Sequence, residues 1–466
     1  MIKKLARSIR EFKLSSILSP VLVTLEVALE CIIPLYMITM LEAIQKDNSL
    51  KNIIYYGLIL LLLAGFSLLF GILAGKFAAT ASAGFARNLR KDLYYKVQGF
   101  SFSNIDKFST SSLVTRMTTD VANVQMAYMM IIRVAVRSPI MLIFSLIMAF
   151  VINAKIALIF LALIPVLAIG LLLMFKFVDP IFNRVFKKYD AMNESIQENI
   201  KGIRVVKSYV RDEHENEKFS KTADNVRWDF LKGEKILALA NPLMQFCMWF
   251  SILMICLLCS MIGVKNGVDN SSQMSSLIVY ASQILSSLMM LNMVMIMISI
   301  SKTSAKRIVE VLEEESDLHN PENPVYDVKD GSVKFEDVDF KYDIKADRRA
   351  LKGVNLDIKS GETVGILGGT GSSKTSLVNL IPRLYDATSG HVYVGGLNVK
   401  DYDIETLRNQ VAVVLQKNVL FSGTIKENLR WGDPDASDED IERVCRLAQA
   451  HEFIMSFPDK YDTYIE

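Results

Sequence analysis

Cysteine is scarce in this 466-residue chain, and none of the five cysteines sits in a metal-ligand spacing. Cys31, Cys247, Cys256 and Cys259 lie inside apolar runs, and Cys445 lies in the polar C-terminal part. Cys256 and Cys259 are one helical turn apart and read as small buried hydrophobes. This set therefore argues against a metal centre and requires no oxidising compartment. Charge of one sign is also lacking: the net charge is +2, with no basic tail and no basic patch interleaved with aromatics, so no electrostatic footprint for nucleic acid is present. The first thirteen residues lack the small-residue cleavage site that follows the apolar stretch of a secretory leader. Basic and amphipathic, they read instead as a helix lying on the inner membrane face.

What the chain has in abundance is apolar sequence, 51% of its residues, distributed unevenly. Up to about Thr303 long runs of Leu, Ile and Met dominate, whereas from about Glu313 the composition is that of a soluble α/β domain. A bilayer core takes about 20 apolar residues in a helix, because no water is there to satisfy the backbone. Six stretches qualify: residues 15–44, 52–76, 129–153, 156–176, 236–264 and 271–301. Orientation follows from the lysines and arginines in the short flanks. Lys3, Lys4, Arg7, Arg10 and Lys13 precede the first span; Arg87, Arg90, Lys91 and Lys96 follow the second; Arg184, Lys187 and Lys188 follow the fourth. The N-terminus and the soluble part are then cytoplasmic, and the turns at 153–155 and 265–270 are outside.

The two inner connections, residues 77–128 and 177–235, are polar, contain few Gly or Pro, and keep helical periodicity, so long helices are expected to continue out of the membrane. In the second of them Ile196, Ile200, Ile203 and Val206 form an apolar face ahead of the charged run from Arg211 to Lys218. Glu26 and Glu30 stand one turn apart in the middle of the first span, where charge is expensive and faces a bundle interior or wet cavity. Two readings are open: a substrate cavity favouring cationic or polar cargo, or an internal pair with Arg133 or Arg137 of the third span.

Beyond Ser316 a linker containing Asn320, Pro321 and Pro324 leads to β-rich runs at 333–335, 338–342, 354–358, 363–367, 391–394 and 411–415, with helices at 374–381, 404–408 and 438–455. Between the apolar run at 363–367 and the helix lies Gly368-Gly369-Thr370-Gly371-Ser372-Ser373-Lys374-Thr375. Small residues let the backbone curl so that N–H groups point inward at phosphate oxygens. Lys374 is placed for the β- and γ-phosphates and Thr375 for Mg²⁺. The strict pattern has glycine where this chain has Ser373, and a left-handed backbone there costs a non-glycine residue about 1 kcal/mol.

Several further motifs follow in order: Phe340-Lys341-Tyr342; the stretch from Arg383 to Gly390; Val414-Leu415-Gln416 with Leu420-Phe421 and the stretch from Thr424 to Asn428; Gly202 to Lys207 in the second inner connection; and Ser304 to Glu310 closing the sixth span. With them the chain resembles the ABC exporters, half-transporters of the multidrug and lipid exporter type, from about Lys13 to its last residue. The resemblance implies a multi-domain membrane protein. An all-α six-helix transmembrane domain (1–318) and a linker (319–330) precede the first part of an α/β P-loop nucleotide-binding domain (331–466). It implies ATP and Mg²⁺ as cofactors, with Tyr342 stacked on adenine, residues 368–376 through Ser376 around the phosphates, and Thr375 and Gln416 at Mg²⁺. It also implies short coupling helices near 103–108 and 211–219, a second half-transporter as partner in a homodimer or heterodimer, and a small-molecule, lipid or peptide substrate.

Hydrolysis in this family needs a signature segment, a second Mg²⁺ carboxylate, a catalytic glutamate and a switch histidine, none of which occurs before Glu466. His451 precedes the signature position and is not that histidine. The expectation is therefore a truncated exporter half, inactive alone. Two functions remain open: an ATP-driven exporter subunit, or a membrane-bound nucleotide-binding subunit without turnover.

Overall fold

The computed structural model describes the whole chain except residues 47–49, 267–269, 344–346, 416, 417 and 466, with backbone alone at 45, 46, 183, 186, 187, 190, 194 and 266. Gln416 and the middle of the expected turn at 265–270 thus lie outside the described residues. The chain divides into two compact units, one of Met1–Phe100 with Asn104–Glu315 and one of Ser101–Ser103 with Ser316–Glu466.

In the first unit six helical stretches are long and apolar enough to cross a membrane. The helices carrying the six expected spans are Lys13–Lys46, Leu50–Gln98, Val121–Ile152, Ala154–Lys201, Ala240–Asn266 and Ser271–Glu313. The second has 49 residues, about 70 Å at 1.5 Å per residue, more than twice a bilayer core. It therefore runs well beyond its apolar stretch, as the helical periodicity of the polar connection implies. Spans three and four are separated by Asn153 alone, whose extended backbone breaks the helix and whose Oδ1 accepts from the N–H groups of Lys155 and Ile156. Large apolar side chains such as Leu58, Leu61 and Phe66 point outward, as a lipid-facing surface requires.

Inside, the halves of spans three to six near Asn153 share a core of Ala149, Phe160, Ile255, Tyr280 and Ile284. Spans one and six meet at a proline: Pro34 has no N–H for the carbonyl of Glu30, and span six supplies side chains around the gap. Ser276 Oγ donates to Pro34 O (2.8 Å), Tyr280 OH to Cys31 O (2.5 Å) and Gln283 Nε2 to Glu30 O (3.5 Å). The polar extensions have a separate core around Phe85, Leu89, Phe108, Val124 and Ile308.

The second inner connection is a fourth-span helix ending at Lys201, a short helix Ile203–Ser208, a break, and a helix Asp212–Leu237. Val210 at the break is left-handed (φ 53°), an uncommon setting for a β-branched residue. The expected charged run opens the last helix with Asp212, Glu213 and Glu215 in its first turn, where carboxylates favour the dipole.

The second unit contains a four-stranded antiparallel sheet in the order β2-β1-β3-β4, with β1 Val333–Phe340, β2 Leu351–Ile358, β3 Ser389–Val394 and β4 Leu397–Asn398. Phe335 pairs with Leu356 on one side and Val392 on the other. The two runs expected at 333–335 and 338–342 are one strand, interrupted by a bulge at left-handed Asp337. Gly390 is required beside that bulge, because a Cβ there would lie 2.2 Å from Asp337 O. Leu377 and Leu380 of the helix Lys374–Leu380 join Phe335, Val338, Phe340 and Val392 in the core, which fixes the helix on the sheet.

Three expectations are corrected. Residues 363–367 and 411–415 are not strands; Leu367 is 97% and Val414 91% exposed, and among the described residues neither segment has a ladder partner. Apolar content states a preference for burial, whereas a strand exists through its neighbours. The helix expected over 438–455 is two, Asp438–Leu447 and His451–Met455. Left-handed Gln449 separates them, and Ala450 N–H closes the first by donating to Cys445 O (2.8 Å).

Candidate functional site

Ser373 is the last residue before the helix Lys374–Leu380, and it is left-handed (φ 61°, ψ 24°), as is Gly371 (φ 84°). These two reversals curl the loop around Lys374, whose Nζ donates to Gly368 O (2.7 Å), Gly369 O (2.9 Å) and Ser372 Oγ (3.1 Å). A Cβ at Gly368 would stand 2.6 Å from Ser372 Oγ, so a side chain there would push that hydroxyl from its place beside Lys374 Nζ. Gly369 and Gly371 open onto free space, so the backbone between them can be approached closely. Thr375, the expected Mg²⁺ residue, is exposed on the first turn of the helix. An exposed, curled loop with a lysine held on weakly basic carbonyls is a set of donors that fits a polyphosphate.

Tyr342, expected on adenine, and Ser376, expected near the phosphates, are brought together: the phenol and hydroxyl oxygens are 2.8 Å apart. The Tyr342 ring is about half exposed and is held edge-on by Phe340 (4.8 Å between centroids) and Tyr385 (5.3 Å). Tyr385 also packs on Phe102, which this unit includes, at 5.9 Å. Sequence reasoning gave Tyr385 no role of its own: it lies within the Arg383–Gly390 motif, and its packing against Tyr342 appears only once the helix is placed on the sheet. Gln416 lies outside the described residues.

The membrane unit holds the other candidate. Arg137 donates from Nη1 to Glu26 Oε1 (2.5 Å) and from Nη2 to both oxygens of Glu30 (2.9 and 2.8 Å). Of the partners considered for these glutamates, Arg137 takes both. The forked guanidinium can serve two carboxylates at once, which makes this arrangement possible at span depth. Glu26 is 8% exposed. A cavity of about 610 Å³ lies against Glu26, Glu30 and Arg133, with Ile33, Leu68 and Ile72 among its walls.

Comparison with known proteins agrees with both halves. The family model described as ABC transporter transmembrane region matches residues 16–289, and that described as ABC transporter matches 351–463. The uncharacterized ABC transporter ATP-binding protein YfiB of Bacillus subtilis is 33% identical over 457 residues, 98% of this chain and 79% of its own length. YknU of the same organism is 32% identical over 81% of this chain and 64% of its own length. The ATP-dependent lipid A-core flippase of Desulfotalea psychrophila is 27% identical over 81% of this chain and 65% of its own length. The chain thus spans about four fifths of one relative and slightly under two thirds of the other two. Six apolar helices and an ATP-binding domain on one polypeptide, matched by both family models, make this chain a member of the ABC transporter family, an exporter half-transporter.

Proposed function

We propose that this chain binds Mg-ATP at residues 368–376 and, paired with a second half-transporter, couples its binding and hydrolysis to export by alternating access. The observation that carries this reading is the curled loop closed on Lys374 Nζ, joined to six membrane helices in one chain. Backbone N–H groups from Gly368 to Ser373, with Thr370 between the glycines and Ser372 after them, would face the phosphates. Lys374 would exchange the carbonyls of Gly368 and Gly369 for the β- and γ-oxygens, Thr375 and Gln416 would hold Mg²⁺, and Ser376 would keep Tyr342 in place for the adenine. When bound, ATP supplies the free energy for transport, and the protein's part is to position it. The working division is a membrane domain 1–318, a linker 319–330 and a nucleotide-binding domain 331–466, with the N-terminus and the nucleotide-binding domain cytoplasmic.

Two features support the coupling part of this reading. The first inner connection contributes Phe102 to the aromatic group that holds Tyr342. The second carries Tyr209 and Val210 at its break, both largely exposed, next to the 211–219 segment expected to rest on a nucleotide-binding domain. Relatives named lipid A-core flippases make an amphiphile the cargo class to test first.

The test is equilibrium Mg-ATP binding to the purified chain, with and without Lys374→Ala. Removing charge-assisted hydrogen bonds worth about 1.5–3 kcal/mol weakens binding roughly tenfold to a hundredfold. Equal affinity in the variant, or no saturable binding in the parent, overturns the assignment.

A further inference from the structure

The second span carries Gly71 and Gly75 one turn apart, and each faces an opposite charge. A Cβ at Gly71 would lie 2.9 Å from Glu26 Oε1 and 3.5 Å from Oε2; one at Gly75 would lie 3.5 Å from Arg133 Nη1. Four residues of helix set these two seats about 6 Å apart. Paired glycines in a span commonly let two backbones approach. Here they make room for a carboxylate from the first span and a guanidinium from the third.

These charges share one cavity without meeting. Arg137 occupies Oε1 of Glu26 and both oxygens of Glu30, and Oε2 of Glu26 is buried with no hydrogen bond. Among the described residues, Arg133 makes no ion pair with either glutamate, although all three side chains line the same 610 Å³ space. At membrane depth an unpaired charge is costly, and an opposite pair close enough to collapse together would be expected to do so. Glu26 and Arg133 lie instead against two different glycines of the second span. The space between is open to a molecule that brings a cation to the Glu26 and Glu30 side and an anion to the fork of Arg133, whose planar donors suit a phosphate or carboxylate. Ile33, Leu68 and Ile72 supply an apolar wall beside the charges.

We propose that this cavity is a subsite for a zwitterionic amphiphile, a molecule with a cationic group, an anionic group and an apolar chain. It deepens the export reading and rests on it for the transport role. Either a lipid headgroup or a free zwitterion carries the charge pattern, and the apolar wall selects the former.

The experiment titrates the purified full chain in a nonionic detergent by native mass spectrometry. The probes are lysophosphatidylethanolamine, lysophosphatidylglycerol, an alkyl trimethylammonium of equal chain length, and free phosphoethanolamine. The zwitterionic lysolipid is expected to bind about tenfold or more tightly than either singly charged amphiphile, as the loss of one charge-assisted contact implies. Arg133→Gln, which leaves the Glu26–Arg137–Glu30 group intact, removes the preference over the cation; Glu30→Gln reduces the preference over the anion. A role in packing alone would not shift selectivity in these opposite directions. Equal binding of the three amphiphiles means adhesion by the chain only and overturns the proposal. So does a singly charged probe that matches the zwitterion, or unchanged selectivity in Arg133→Gln. Tight binding of phosphoethanolamine overturns the amphiphile, and no binding at all leaves a water-bridged pair and overturns the site. Mg-ATP binding measured on the same preparation separates these failures from failure of the transporter reading.

Discussion

In the phosphate loop a lysine ammonium rests on two backbone carbonyls in a segment open to water, whereas in the membrane unit an arginine is divided between two carboxylates from the first span. The first cation is held by weak acceptors that it can leave, with solvent to take their place. The second is held by full charges and has no such exchange available. A movable cation suits a site that must receive a ligand's charge; a locked one suits a joint between spans. The two are also encoded differently. The loop occupies eight consecutive residues, while the membrane cluster draws on positions more than a hundred apart in sequence.

Breaking the locked cation should produce the largest effect. Arg137→Met leaves two carboxylates at span depth without a partner, and removing one member of a buried pair costs about 3–5 kcal/mol. The expected result is a sharp fall in melting temperature and in folded yield from detergent. Arg137→Met combined with Glu26→Gln and Glu30→Gln should recover much of the loss, because no stranded charge remains. A single variant as stable as the parent would show that the cluster is not a joint.

The contrast also explains what the sequence could convey. Six apolar runs, each long enough to cross a bilayer, were legible because the solvent imposes length on them directly. Left-handed Ser373 was legible because the phosphate-loop pattern places glycine at that position. The pairing of Glu26 and Glu30 was legible only as a choice between Arg133 and Arg137, four residues apart on one helix. Which of them faces the first span depends on how the helices are rotated, and periodicity alone does not fix that. Gly71 and Gly75 carried no signal by themselves, since their meaning lies in the side chains opposite. Residues 363–367 and 411–415 misled for the reverse reason: their apolar content suggested strands, yet no described strand runs beside them.

The aromatic wall of the loop comes next in size. Tyr342→Ala removes the face proposed to stack on the base, and stacking of this kind is worth about 1–3 kcal/mol. Mg-ATP affinity is expected to fall about fivefold to a hundredfold. Tyr342→Phe keeps the ring and loses the contact with Ser376 Oγ, so a fall as large as that of the alanine variant would mean that the hydrogen bond, not the ring, positions the nucleotide.

Ser373→Gly relieves the left-handed backbone of a side chain and is expected to stabilise the loop by about 1 kcal/mol, roughly a fivefold gain in nucleotide affinity if the strain is present only when the loop is curled. Unchanged affinity together with a raised melting temperature would place the same strain in the nucleotide-free and bound loops alike. Either result separates a loop that is set in advance from one that the ligand completes.

The smallest effect concerns a carboxylate near the same sheet that is held much as the membrane carboxylates are, but in water. Asp403 caps the helix Ile404–Gln410, accepting from Thr406 N–H (2.9 Å), Thr406 Oγ1 (3.1 Å) and Asn320 Nδ2 (2.6 Å). The backbone hydrogen bond from Thr406 leads the causes that hold its carboxyl below the usual range. A depressed folded-state pKa stabilises above the unfolded value, about 4, and that contribution is lost as the pH falls through the lower folded value. Asparagine caps a helix about as well as aspartate and does not titrate. Asp403→Asn should therefore melt slightly below the parent at pH 6, with the gap closing below pH 4. A gap that stays constant with pH would show that the cap acts through its shape and not its charge, whereas in the membrane cluster charge is what matters.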